Sequence, residues 1–97
     1  MDSSIKEIKA ILNNFRILRM QVFTGLISEE LKDKLEFLEN CVKALDEDNR
    51  FIMETIYFNE KAVTSVAKCL YITRQAVYKR KDKLLKQIET VFRQRFK

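Results

Sequence analysis

The sequence lacks histidine and has very few residues that interrupt helices. None of its 97 residues is histidine or proline, and only one is glycine. Histidine is the commonest general base and a usual zinc ligand, and the two cysteines alone are too few for a zinc site of the ordinary kind. A Gly-rich phosphate-binding loop is also missing. We therefore expect a protein that is not an enzyme and that needs neither a cofactor nor a metal.

The scarcity of glycine and proline, together with many Lys, Glu, Leu and Ile residues, favours an all-α fold. The N-terminus has no apolar run suited to a signal peptide, and no segment approaches the roughly 18 apolar residues of a membrane span. We predict a cytoplasmic protein without a membrane partner. In that compartment Cys41 and Cys69 are expected to be reduced and partly buried.

Apolar residues at three- and four-residue steps predict two helices in the first 45 residues. The first helix should run from Ser4 to Thr24, with Gly25 as its C-terminal stop. Ser28 should cap the second helix. The spacing suits an antiparallel hairpin within one chain, which we favour, and also a dimer seam. The first stripe comprises Ile5, Ile8, Ile11, Leu12, Phe15, Leu18, Val22 and Leu26, and the second Leu31, Leu35, Leu38, Val42 and Leu45.

Three further helices are expected after residue 45. Asp46 should cap the third helix, which should end near Phe58, where Asn59 can adopt a left-handed conformation. The fourth helix is predicted over residues 63–70, and the fifth from Arg74 onward. The fifth helix carries an apolar stripe that needs a surface to cover it, formed by Leu84, Leu85, Ile88, Val91, Phe92 and Phe96.

The segment from Val66 to Thr90 has the pattern of a helix-turn-helix followed by a basic helix. Residues 66, 67 and 70 are apolar and would form the inner face of the first helix. Tyr71 and Ile72 would form the turn, and Thr73 the N-cap of the second helix. Val77 would then anchor that helix to the core, leaving outward the long polar side chains of Arg74, Gln75, Tyr78 and Lys79.

Charge is distributed unevenly along the chain. Residues 1–45 contain seven basic and seven acidic residues, residues 46–59 one and four, and residues 60–97 eleven and three. A basic segment concentrated on one element is typical of a protein that binds a polyanion. We give Lys81 and Lys86 only a general electrostatic part in such binding.

The stretch from Leu45 to Ile88 resembles region four of bacterial sigma factors, which recognises the −35 promoter element. The resemblance consists of an acid-capped helix ending in Tyr57-Phe58, a short loop, the pattern V-A-x-x-L-x-I-T-R-Q-x-V and a trailing L-L-x-x-I. Small phage transcription regulators of the ArpU and RinA type share this pattern and are similar in size. Regulators of the YlxM type, linked to the signal recognition particle, also have a similar Arg-Gln-Ala-Val-Tyr helix.

The resemblance implies a DNA interface on the fifth helix. It places Arg74, Gln75, Tyr78 and Lys79 in the major groove. It places Thr73, Arg80 and Lys83 near phosphates. The chain departs from the pattern at Tyr71, where many helix-turn-helix proteins have glycine, and at Ala62, where a capping Ser or Thr is usual.

These observations predict two domains, an N-terminal helical hairpin over residues 1–45 and a helix-turn-helix DNA-binding domain over residues 46–97. Residues 1–45 do not resemble the sigma domain that melts the −10 element, so we do not expect the chain to act alone as a sigma factor. We expect a transcriptional regulator of phage or mobile-element origin that binds double-stranded DNA as a homodimer, with RNA polymerase as a further candidate partner. The alternative is a protein-interaction module that binds polymerase, a sigma domain or a ribonucleoprotein.

Overall fold

The computed structural model describes residues 3–96, and the regular structure in this range is entirely helical, which confirms the all-α class. Six α-helices follow one another, and the fourth continues directly into a π-helical segment. The helices are α1 (Ser3–Asn13), α2 (Phe15–Thr24), α3 (Glu29–Lys43), α4 (Glu47–Met53, followed by the π-helical segment Glu54–Phe58), α5 (Val63–Leu70) and α6 (Arg74–Phe96).

The prediction of one helix over residues 4–24 is wrong, because the helix is interrupted at Asn14. The Asn14 backbone N–H donates to the carbonyl of Ile11 at 3.2 Å. Its side-chain amide donates instead to the carbonyl of Ala10, at 2.8 Å, which a continuous α-helix would reserve for the backbone. The apolar stripe continues past the break, since Phe15 and Leu18 are both buried. Periodicity alone therefore gave no sign of it.

The predicted caps around α2, α3 and α4 are confirmed. Gly25 ends α2 in the left-handed conformation, with φ of 74°. The Ser28 hydroxyl accepts a hydrogen bond from the backbone N–H of Leu31 at 3.2 Å, and Asp46 Oδ1 accepts one from Asn49 at 3.3 Å. Each cap satisfies a backbone donor that the first turn of a helix leaves unpaired.

The chain reversal after the third predicted helix lies one residue later than expected. Asn59 keeps a right-handed conformation, because its N–H donates to the carbonyl of Glu54 at 2.9 Å and so continues the π-helical ladder. The left-handed residue is Glu60, with φ of 55°. Arg16 on α2 binds this loop, since its Nε donates to the Phe58 carbonyl at 3.1 Å and lies 3.9 Å from the Glu60 carboxylate.

The larger of two hydrophobic clusters joins the N-terminal helices to the C-terminal half of α6. It contains buried residues of α1, α2 and α3 together with Met53 and Tyr57. The stripe on α6 is therefore mostly covered within the chain, since Phe92 is fully buried and Phe96 is partly buried, whereas Val91 is 40% exposed. The buried residues that α6 contributes to this cluster are Leu84, Leu85, Ile88 and Phe92.

The smaller cluster lies beneath the helix-turn-helix. Its fully buried members are Ile52 of α4, Val66 of α5 and Val77 of α6, with Ala67 also buried. The prediction that Val77 anchors the second helix is confirmed. The cysteine prediction holds only for Cys41, which is half-buried, whereas Cys69 on α5 is exposed because only one face of that short helix is covered.

We predict that Val77→Asp unfolds the helix-turn-helix, since it places an unpaired carboxylate in the smaller cluster and should cost about 3 kcal/mol or more. Thermal denaturation followed by circular dichroism would measure the loss. Gln75→Asp is the matched control, because Gln75 is exposed in the same helical turn and the helix dipole favours acid there. Equal melting temperatures for the two variants would contradict the burial of Val77.

Candidate nucleic-acid interface

A tight turn joins α5 to α6. Ala62 precedes α5 without a side-chain cap, as its residue type implies. At the other end Tyr71 adopts the left-handed conformation, with φ of 57°, and the N–H of Ile72 donates to the carbonyl of Ala67 at 3.1 Å. This bond satisfies a carbonyl of the last turn of α5 and redirects the chain. The predicted turn at residues 71 and 72 is confirmed.

Thr73 fixes the start of α6. Its Oγ1 accepts a hydrogen bond from the backbone N–H of Ala76 at 3.0 Å, and its carbonyl accepts one from Val77 at 3.1 Å. The N-cap and the buried Val77 together determine which side of α6 faces the protein.

The four residues predicted for base contact all lie on the exposed part of the first turns of α6. Arg74, Gln75, Tyr78 and Lys79 are exposed, and the Tyr78 side chain retains 48% of its accessible surface. Residues 74 and 78 are four apart, as are residues 75 and 79, so each pair is adjacent on the helix surface. The structure therefore brings these side chains together as one polar face.

The residues predicted for phosphate contact divide between two places. Thr73 is exposed beside the turn. Arg80 and Lys83 are exposed too, but they line a cavity whose opposite wall includes Asp46 and Asp48 at the start of α4. A phosphate that approached these two basic residues would also approach two carboxylates. Sequence reasoning found the acidic block but could not place it beside α6.

Lys81 lies at the base of the polar face rather than in solvent. It is partly buried, and its Nζ lies 5.2 Å from the ring centroid of Tyr78 and 5.8 Å from that of Tyr57. A cation at such distances is attracted by the π-electrons of both rings. Lys81 thus connects the exposed Tyr78 to the buried Tyr57.

Within residues 3–96, the basic residues of the candidate interface form no ion pair within 4.0 Å. Among residues 3–96 the four ion pairs within 4.0 Å join positions outside the 73–83 segment. Their positive charge is therefore not neutralised by a direct contact within the described chain. This arrangement suits attraction of an anionic partner.

A second exposed surface was missed by the sequence analysis. Ile17, Met20 and Phe23 on α2 and Leu26 beyond its end are 58%, 68%, 80% and 78% exposed, respectively. Leu26 was expected in the buried stripe, but the reversal at Gly25 takes it out of the helical register. This surface could have been predicted from the apolar residues 17, 20 and 23, which recur every three residues and lie outside that stripe. We call these four residues the α2 patch.

Within the described residues, no group of three or more Cys, Asp or Glu side chains is arranged to bind a metal ion. No helix in that range is long and apolar enough to cross a membrane.

Comparison of the chain with protein-family models, curated proteins and solved structures finds no match. The resemblance to sigma region four therefore rests on the motif between residues 45 and 88.

The buried Tyr57 allows a prediction about alkaline stability. Burial, with a smaller contribution from the Asp82 carboxylate, raises the pKa of Tyr57 from 10.0 to about 12. The folded state thus favours the neutral phenol, so this contribution is complete below pH 10 and is lost as the pH rises toward 12. We expect the loss of this contribution to lower the free energy of unfolding by about 2 kcal/mol between pH 10 and pH 12.

Denaturant titrations at pH 9 to 12 would measure this loss, and Tyr57→Phe should remove it. Tyr71→Phe serves as the matched control, because Tyr71 is 94% exposed. Identical pH dependence for the wild-type protein and Tyr57→Phe would refute the prediction.

Proposed function

We propose that the protein is a sequence-specific DNA-binding transcriptional regulator that inserts the first turns of α6 into the major groove. The observation that carries this proposal is the orientation of α6 about its own axis. Val77 is fully buried, whereas Arg74 and Gln75 are exposed directly after the Thr73 cap. In helix-turn-helix proteins the N-terminal residues of the second helix contact base edges. The region-four resemblance favours the same arrangement and a phage or mobile-element origin.

The exposed side chains have the chemistry that base reading requires. An arginine can donate two hydrogen bonds to a guanine edge, and a glutamine can pair with an adenine edge. Lys79 and Tyr78 extend the face by one turn. Thr73 and the more distant Arg80 and Lys83 are the candidates for phosphate contact, which positions a protein without specifying sequence.

Two measurements test the proposed function directly. Selection of bound sequences from a random duplex pool should yield one consensus, and binding to random duplex should weaken as salt rises, because phosphate contacts release counterions. A protein-interaction module that binds polymerase, a sigma domain or a ribonucleoprotein would yield no consensus. That result would exclude the DNA-binding proposal.

The proposal includes a homodimer formed through the α2 patch. Large exposed apolar patches usually mark an interface, and most of the α6 stripe that could have competed for this role is buried within the chain, with only Val91 of its residues classed as exposed. A dimer would present two copies of α6 to half-sites about one DNA turn apart. RNA polymerase is the alternative partner for the same patch.

We predict that Arg74→Ala and Gln75→Ala each cost about 1 to 3 kcal/mol at the selected site and relax preference at one base position. Lys83→Ala should instead weaken all sequences alike and reduce the salt dependence. Fluorescence anisotropy on selected and random duplexes would separate the two effects. Equal losses on both duplexes for Arg74→Ala would remove it from base recognition.

We also predict that Phe23→Asp yields a folded monomer. Its side chain is 80% exposed, so the charge should disrupt association without lowering the melting temperature of the chain itself. Sedimentation velocity would measure the change, and Val91→Asp is the control, since Val91 is a partly exposed apolar residue on α6. A wild-type monomer that binds a single non-repeated site would refute the dimer and favour the polymerase partner.

A further inference from the structure

An apolar cavity lies between α3 and the C-terminal half of α6, away from the residues predicted for base contact. Its volume is about 380 Å³, which falls within the range of roughly 300 to 1,000 Å³ typical of small-molecule sites. The carboxamides of Asn40 and Gln87 add hydrogen-bonding groups to a lining that carries no formal charge. The apolar part of the lining consists of Phe37, Cys41, Ala44, Leu45, Ile88 and Val91.

The apolar cavity adjoins the charged cavity that contains Arg80 and Lys83. Gln87 lines both cavities, and Leu45 in the apolar one is followed directly in the chain by Asp46 in the charged one. The charged cavity has a volume of about 310 Å³. The two cavities therefore form one continuous site along α6, with an apolar end and a charged end. We call it the amphipathic site.

The charged end carries opposite charges that do not neutralise one another by direct contact. Asp46 and Asp48 line it from the start of α4, and Arg80 and Lys83 line it from α6. Among residues 3–96, none of these four side chains forms an ion pair within 4.0 Å. Asp46 accepts the backbone N–H of Asn49 through Oδ1 alone. A ligand with both an ammonium and a carboxylate group can therefore bind the two walls at once.

These features fit a free α-amino acid with an apolar side chain. Its ammonium group can donate to Asp46 and Asp48, and its carboxylate can accept from Arg80 and Lys83, in charge-assisted hydrogen bonds, which are the stronger kind. Its side chain can then occupy the apolar end, where the Phe37 ring favours an aromatic group. A ligand with only one sign of charge would meet like charges on one of the two walls.

We propose that the amphipathic site binds a free apolar amino acid, with phenylalanine as the representative ligand. A bound amino acid places its carboxylate on Arg80 and Lys83, which are also candidates for phosphate contact. It therefore competes with DNA for these two cations, and DNA weakens amino-acid binding by the same factor. This competition rests on the proposed function, whereas the site itself does not.

Titration of the full-length protein with L-phenylalanine, without DNA, tests the site by nuclear magnetic resonance. Saturable shifts should appear at the amides of Asp46, Gln87 and Ile88. Glycine lacks the apolar side chain, phenethylamine the carboxylate and hydrocinnamate the ammonium, so each should bind at least about tenfold more weakly. No saturable shift up to about 10 mM L-phenylalanine, or equal affinity for hydrocinnamate, would overturn the proposal.

Two variants test the two ends of the site separately. Asp46→Asn combined with Asp48→Asn removes the acidic wall but keeps the fold, because asparagine is as good an N-cap as aspartate. Ala44→Leu fills the apolar end without a change of charge. Each variant should weaken L-phenylalanine binding at least about tenfold. Ala10→Leu is the matched control, since Ala10 is an exposed alanine on α1. Wild-type affinity in both site variants would contradict this assignment.

Fluorescence anisotropy on a selected duplex measures the competition. Saturating L-phenylalanine should weaken DNA binding roughly fivefold or more, and the variant with Asp46→Asn and Asp48→Asn should lose this effect. Arg74→Ala should retain it, because Arg74 lines neither cavity. Unchanged DNA affinity at saturating L-phenylalanine would overturn the competition. A protein that binds L-phenylalanine but no duplex would overturn the proposed function and support the site.

Discussion

The candidate interface depends on the burial of one side chain, Val77, against α4 and α5. Val77 is fully buried with Ile52 and Val66, and a β-branched residue in so small a cluster leaves little freedom for α6 to rotate. The N-cap at Thr73 fixes the helix along its axis in the same way. Together they decide that Arg74 and Gln75 face solvent. The polar face is thus a consequence of packing on the opposite side of the helix.

The remainder of α6 supplies the rigidity that a reading surface needs. Its C-terminal half is buried in the cluster that α1 and α3 also form, where the rings of Phe37, Phe92 and Phe96 contact one another. The larger cluster therefore includes residues from both sides of residue 45, where the sequence predicted a domain boundary. The N-terminal helices stabilise the helix that carries the candidate interface, and their outer surface still exposes the α2 patch. A site supported by a regular element is positioned more accurately than one on a loop.

Local rules predicted most of the helix boundaries, whereas long-range contacts lay beyond them. Ser28, Asp46 and Thr73 were identified as caps because a side-chain oxygen three residues before an unpaired N–H needs no tertiary information. The interruption at Asn14 was missed, since the side-chain bond that causes it leaves the apolar stripe unchanged. The side of α6 that faces Asp46 depends on how α4 packs against it. Residue spacing within one helix gives no information on how two helices pack against each other.

The two sides of α6 are electrostatically unequal, and this inequality bears on how a duplex would dock. For a duplex that lies along the polar face, one backbone would pass near Asp46 and Asp48, and the other near Lys68. Charge interactions of exposed groups act over roughly 10 Å at moderate salt, which is about the width of a helix. Each strand would therefore sense mainly the side it passes. The resulting preference would favour one orientation of the duplex before any base is read, leaving Arg74 and Gln75 to select among sequences.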